Sequence, residues 1–111
     1  MHFDEYEKLA RRTALVSDEN RELQLYDLGL GVAGETGELA EKLKKMIRDD
    51  GSRLTEDRKE AMKNEIGDVL WYLSQLSRVL GFTFSECAEA NVKKLESRLA
   101  RGVLRGSGDN R

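Results

Sequence analysis

LGLGVAGETGELAEKLKKM, residues 28–46, is the stretch on which the fold turns. Leu28, Val32, Leu39, Leu43 and Met46 recur at three-, four- and seven-residue intervals, and Leu25 extends the stripe backwards. That is the helical period. Gly29, Gly31, Gly34 and Gly37 interrupt it, each at about 1 kcal/mol against alanine. A kink near Gly29–Gly31 would explain them. So would the close approach of another helix or a ligand to the backbone. The second reading is preferred, because the apolar pattern runs straight through the glycines.

Working outward, the same period organises the rest of the 111 residues. A first helix is predicted over about 3–16, with Phe3, Tyr6, Leu9 or Ala10, and Thr13 on one side. Residues 17–20 form a polar break rich in capping side chains. The second helix should run over about 21–48 and end in Asp49-Asp50-Gly51-Ser52. Thr55 is placed to cap a third helix over 56–80, whose stripe is Met62, Ile66, Val69, Leu73, Leu76 and Leu80. Gly81 supplies its stop signal. A fourth helix starts at Thr83 or Ser85 and reaches residue 100 or 101, with Phe84, Ala88, Val92, Leu95 and Leu99 inward. The sequence has no proline and no alternating β-branched run. The expected fold is all-α: a four-helix bundle-like protomer with two long central helices, completed by oligomerisation. Residues 1–101 make one domain, and 102–111, with three glycines, a loop-like tail.

Composition narrows the chemistry. Twenty-one acids against 19 bases give a net charge of -2, which is no footprint for a nucleic-acid polymer. Cys87 is the one cysteine and His2 the one histidine. An intramolecular disulfide and a cysteine zinc site are therefore excluded within the chain, and a histidine triad is not expected from His2 at the terminus. No apolar stretch reaches membrane-spanning length. No membrane partner is expected, and a cytoplasmic location is the default.

What remains is carboxylate chemistry. Glu35 and Glu38 stand three apart in GETGELAE, and Glu65 and Asp68 repeat that spacing in NEIGDVLWYL. Residues i and i+3 share a helix face. Both pairs adjoin the apolar stripes, at the seam where helices two and three should meet. Unpaired carboxylates there would repel one another and raise some of their pKa values. Something positive must balance them, either Lys or Arg from a neighbour or a divalent cation. Hard cations prefer oxygen ligands.

At these residues the chain resembles the MazG-like nucleotide pyrophosphohydrolases of the all-α NTP pyrophosphatase superfamily. Their E-x-x-E, spacer, E-x-x-D signature is matched by Glu35, Glu38, Glu65 and Asp68, and their following N-x-x-K element by Asn91 and Lys94 in NVKKLESR. The resemblance implies that the four acids hold Mg²⁺, with Mn²⁺ as a substitute, at a nucleoside triphosphate cut between its α and β phosphates. Glu35 and Glu38 would be the catalytic acids, Glu38 as general base. Lys42, Lys45, Lys94 and Arg98 would meet phosphates, although Lys42 and Lys45 also suit i,i+4 pairs with Glu38 and Glu41. Asn91, on the apolar side of helix four, would hold Asp68, a water or a base edge. Trp71 would stack on a base or fill the core, and Tyr72 would line the same site. The tail would fold over a phosphate or fray. A homodimer or a dimer-of-dimers homotetramer is implied. Two other functions remain open: a phosphoribosyl-ATP pyrophosphohydrolase-like enzyme, and a non-enzymatic helical assembly protein.

Overall fold

A computed structural model describes residues 1–15 and 20–111. It contains α1 (Phe3–Arg11), α2 (Arg21–Asp49), α3 (Glu56–Leu80) and α4 (Phe84–Ala100). Each start and stop has a local cause. The Asn20 side chain accepts from the Leu23 amide to open α2, and that of Thr55 accepts from Arg58 to open α3. Thr83 and Glu86 form a reciprocal capping box on α4, which satisfies two otherwise orphaned amides. Gly81 ends α3 with φ of 88°, a left-handed conformation that glycine adopts without a Cβ clash. α1 stops at Arg11, short of the expected 16, in turns bonded back to Leu9, Ala10 and Arg11. The remainder of that expectation and most of the polar break fall on 16–19, outside the described residues.

α2 and α3 are the long pair and pack closely along their length. Asp50 accepts from Arg58 at 2.9 Å across their connection. Lys42 meets Glu65 further along, and Gly31 meets Tyr72 beyond that. These three pairs set an antiparallel register. α2 crosses all four glycines without a break. At Gly31 the reason is visible, because a Cβ there would overlap the Tyr72 ring. Gly29, Gly34 and Gly37 have open space at the same point. Gly31→Ala is therefore expected to destabilise by about 1–3 kcal/mol through overpacking. Gly29→Ala should stabilise by up to about 1 kcal/mol through helix propensity. Urea unfolding of the two variants reads both signs.

α1 lies against α3 and α4. The Trp71 indole N–H donates to the Thr13 hydroxyl at 2.8 Å and to the Ala10 carbonyl at 3.3 Å. The Phe3 and Phe84 rings sit 4.9 Å apart, and the Ser85 hydroxyl donates to Asp4. α4 packs on α1 and α3 but not, among the described residues, on α2. The bundle is thus open on one side. Its radius of gyration is 17.0 Å, against about 13 Å for a compact chain of this size. The buried hydrophobic residues described are only Ala10, Leu28 and Phe84. Leu30, Leu43, Ile47, Ile66 and Leu73 stand exposed on the α2–α3 hairpin. Two adjoining apolar hollows share Leu39 and Ile66, with volumes of about 270 and 640 Å³.

The tail folds back onto α4. Asp109 accepts from Lys94 at 2.9 Å and from Arg98 at 3.0 Å. Arg111 donates to the carbonyls of Val103, Leu104 and Gly108. Gly102, Gly106 and Gly108 have positive φ, which allows the curl back onto α4.

Candidate metal centre

Glu35 on α2 and Glu65 and Asp68 on α3 face one another across the seam. One carboxylate oxygen from each lies within 4.8 Å of the other two. Glu35 and Glu65 are half-buried and Asp68 is exposed, so the cluster has dry walls and one open side. The antiparallel register puts Glu35 level with Asp68, and i,i+3 spacing on α3 adds Glu65. The Glu35 carboxyl is raised above its ordinary range, first by burial, then by the charges of Asp68, Glu65 and Glu38. Glu38 is exposed and outside the converging trio, one turn from Glu35 and close enough for its charge to be felt.

Lys42 bonds Glu65 across the helices at 3.2 Å. The i,i+4 pairs anticipated on α2 give way to this cross-helix contact and to an i,i+3 pair, Glu41 with Lys44 at 3.0 Å. Helix–helix packing brings Glu65 within reach of Lys42, and a partly desolvated partner outcompetes a solvated one. Lys45 is half-buried beside Met46 on the same helix. Among the described residues Lys42 thus offsets one of three clustered acids, and the remaining negative charge adds to burial in raising Glu35. An all-oxygen donor set with a surplus of charge fits a hard divalent cation.

The other sequence-predicted residues divide. Trp71 and Tyr72 are half-buried, with rings 5.0 Å apart and edge to face. Together with Thr13, Leu15, Asp27 and Leu28 they line an open cavity of about 440 Å³. Asn91 is exposed, not buried, because α4 turns that side away from α2. Lys94 and Arg98 are held by Asp109, and Arg98 is only 6% exposed. Two contributors were not legible beforehand. Tyr6 on α1 has its hydroxyl pKa raised by burial and then by Asp68, so α1 reaches the neighbourhood of the cluster. Asp27 lies two helical turns before Glu35 on the same face of α2. A carboxylate on the helix face of Glu35 was the available signal.

An antiparallel helical hairpin carrying paired acids at its seam, in an all-α chain, defines a class of carboxylate-centred helical proteins. Within it, the model of the MazG nucleotide pyrophosphohydrolase domain matches residues 25–102, and the chain belongs to that family. The chain is also 40% identical to the Gene 37 protein of Mycobacterium phage L5 over 114 aligned positions covering all of both chains. That relative's name carries no activity. No solved structure matches significantly. Among the described residues, no helix is long and apolar enough to cross a membrane.

Proposed function

We propose that this protein hydrolyses nucleoside triphosphates to monophosphate and pyrophosphate with the help of Mg²⁺, or Mn²⁺ in its place. The observation that carries this is the convergence of Glu35, Glu65 and Asp68 within a chain of the MazG family. Those three would hold the metal. When bound, it would neutralise the phosphates and the charge that develops on them in the transition state. Glu38, outside the trio and solvent-facing, is free to accept the proton of the attacking water. The water oxygen bonds to the α-phosphorus, the bond from that phosphorus to the bridging oxygen breaks, and pyrophosphate leaves. Lys42, which pairs with Glu65, and Lys45, one turn further along α2, would meet the leaving phosphates. Lys94 and Arg98 would take part only if Asp109 gave way to a phosphate, and Asn91 only against a second subunit.

A static ion-pair network is the competing use of these acids, and the Lys42–Glu65 bond favours it. One lysine does not balance the cluster, so the metal reading is stronger. A second copy of the chain would cover the exposed apolar face of the hairpin, giving a homodimer or a dimer of dimers. No nucleic-acid polymer and no membrane is required.

Pyrophosphate release from the common ribo- and deoxyribonucleoside triphosphates, with phosphoribosyl-ATP as a further arm, tests the activity. Release that needs Mg²⁺ and stops with EDTA is expected. Metal should also raise the melting temperature. A ligand at a hundred times its Kd adds about 2.7 kcal/mol to the folded state, which amounts to several degrees for a domain of this size. No release from any substrate and no thermal shift at millimolar metal would leave the ion-pair network as the better account.

A further inference from the structure

The cavity between α2, α3 and the turn that follows α1 joins an aromatic wall to a single carboxylate. Trp71 and Tyr72 form one side, Leu15 and Leu28 add apolar surface, and Asp27 and Thr13 supply the polar groups. Its volume of about 440 Å³ falls within the range of small-molecule pockets. The Trp71 indole is pinned at its N–H by Thr13 and Ala10, so the wall is preorganised. Tyr72 is seated on Gly31, midway between Asp27 and Glu35 along α2. Asp27, Gly31 and Glu35 follow one another at i, i+4 and i+8, on one helix face. Eight residues of helix separate Asp27 from Glu35 by about 12 Å, the kind of span that separates a nucleotide's phosphates from the far edge of its base.

Resting on the pyrophosphohydrolase reading, we infer that this cavity receives the base and that Asp27 selects guanine. The proposed metal would draw the phosphates to the Glu35 end, which leaves the base at the Asp27 end. An ionised carboxylate only accepts hydrogen bonds, through two oxygens side by side. Guanine alone among the common bases presents two adjacent donors on its pairing edge, N1–H and the 2-amino group. Cytosine and adenine set one amino group beside a bare ring nitrogen, which repels the second oxygen. Uracil and thymine offer one N–H flanked by two carbonyls. A bidentate, charge-assisted fork therefore favours guanine, and such a pair discriminates by about 10- to 100-fold. Trp71 and Tyr72 contribute stacking that every base shares.

Asp27→Asn is the test. It keeps the shape but turns two acceptors into a donor and an acceptor, the pattern that matches cytosine and adenine. The wild type should show its highest kcat/KM with dGTP or GTP. In the variant, the ratio of guanine to adenine or cytosine kcat/KM should fall about 10- to 100-fold. Trp71 is the only tryptophan, so its fluorescence reports the cavity directly. Deoxyguanosine, which carries no phosphate and needs no metal, should quench it more tightly than deoxyadenosine, deoxycytidine or thymidine, and Asp27→Asn should erase that order. Metal-dependent release without guanine preference, or a base ratio unmoved by Asp27→Asn, overturns the selection and leaves the pyrophosphohydrolase reading standing. No release from any nucleotide, with selective quenching by deoxyguanosine, leaves the guanine site and overturns the reaction. The absence of deoxyguanosine quenching overturns the site itself.

Discussion

Asp68→Asn is expected to lower pyrophosphate release by at least roughly a hundred- to a thousandfold while the far-UV helical signal stays unchanged. Asp68 is exposed, and among the described residues its carboxylate makes no hydrogen bond or ion pair. Its amide replacement is isosteric, so little packing is lost. What disappears is one of three converging negative oxygens, in the centre proposed to bring metal and triphosphate together. Glu35→Gln should remove activity as severely and carries a second signature. The raised Glu35 carboxyl binds its proton more tightly in the folded chain than in the unfolded one. Folding therefore loses stability as pH rises from the ordinary carboxylate range through the raised value, and the penalty is complete above it. Removing that charge should raise the melting temperature at neutral pH in EDTA, and this gain should vanish at acidic pH. With millimolar Mg²⁺ the order should reverse, because only the wild type gains stability from the ion. Calorimetry at two pH values, with and without metal, reads both. A variant that is less stable than wild type in EDTA at neutral pH would contradict the clustering of like charge.

Ile66→Asp is expected to dissolve the proposed assembly. Ile66 is 56% exposed on the protomer and lines both apolar hollows of the α2–α3 hairpin. If a second copy covers this face, an aspartate there would be buried without a partner, at a cost of several kcal/mol. Sedimentation should then show the 12.6 kDa protomer where the wild type sediments as a dimer or larger. Because the protomer buries so few apolar side chains, the variant should also melt far below the wild type and with poor cooperativity. Ile66→Val, which keeps the surface apolar, should retain both assembly and melting behaviour. A wild type that sediments at 12.6 kDa and melts cooperatively would overturn this account.

The α2 and α3 helices were legible because their causes are local. Apolar spacing, the Asn20 and Thr55 caps and the Gly81 stop all act within a few residues of the boundaries they set. The E-x-x-E and E-x-x-D pairs were legible as candidates for the same reason, since i,i+3 spacing alone puts two acids on one face. The cross-helix partner of Lys42 was not. It depends on the antiparallel register, and intrahelical spacing had pointed to Glu38. The exposure of Asn91 and the capture of Lys94 and Arg98 by Asp109 were hidden for a similar reason, because they depend on where α4 and the tail dock.

The sequence alone determined that this is an all-α chain with two long helices, a pair of acids at i,i+3 spacing on each and no histidine or cysteine set to compete for the chemistry, because periodicity, capping and composition are properties of neighbouring residues. Only the tertiary structure decided that Glu35, Glu65 and Asp68 form the converging trio with Glu38 to one side, that Asp27 shares a cavity with Trp71 and Tyr72, and that the bundle stays open beside α2. Those outcomes follow from the register of one helix against another, which is set by side-chain packing between residues distant in the chain.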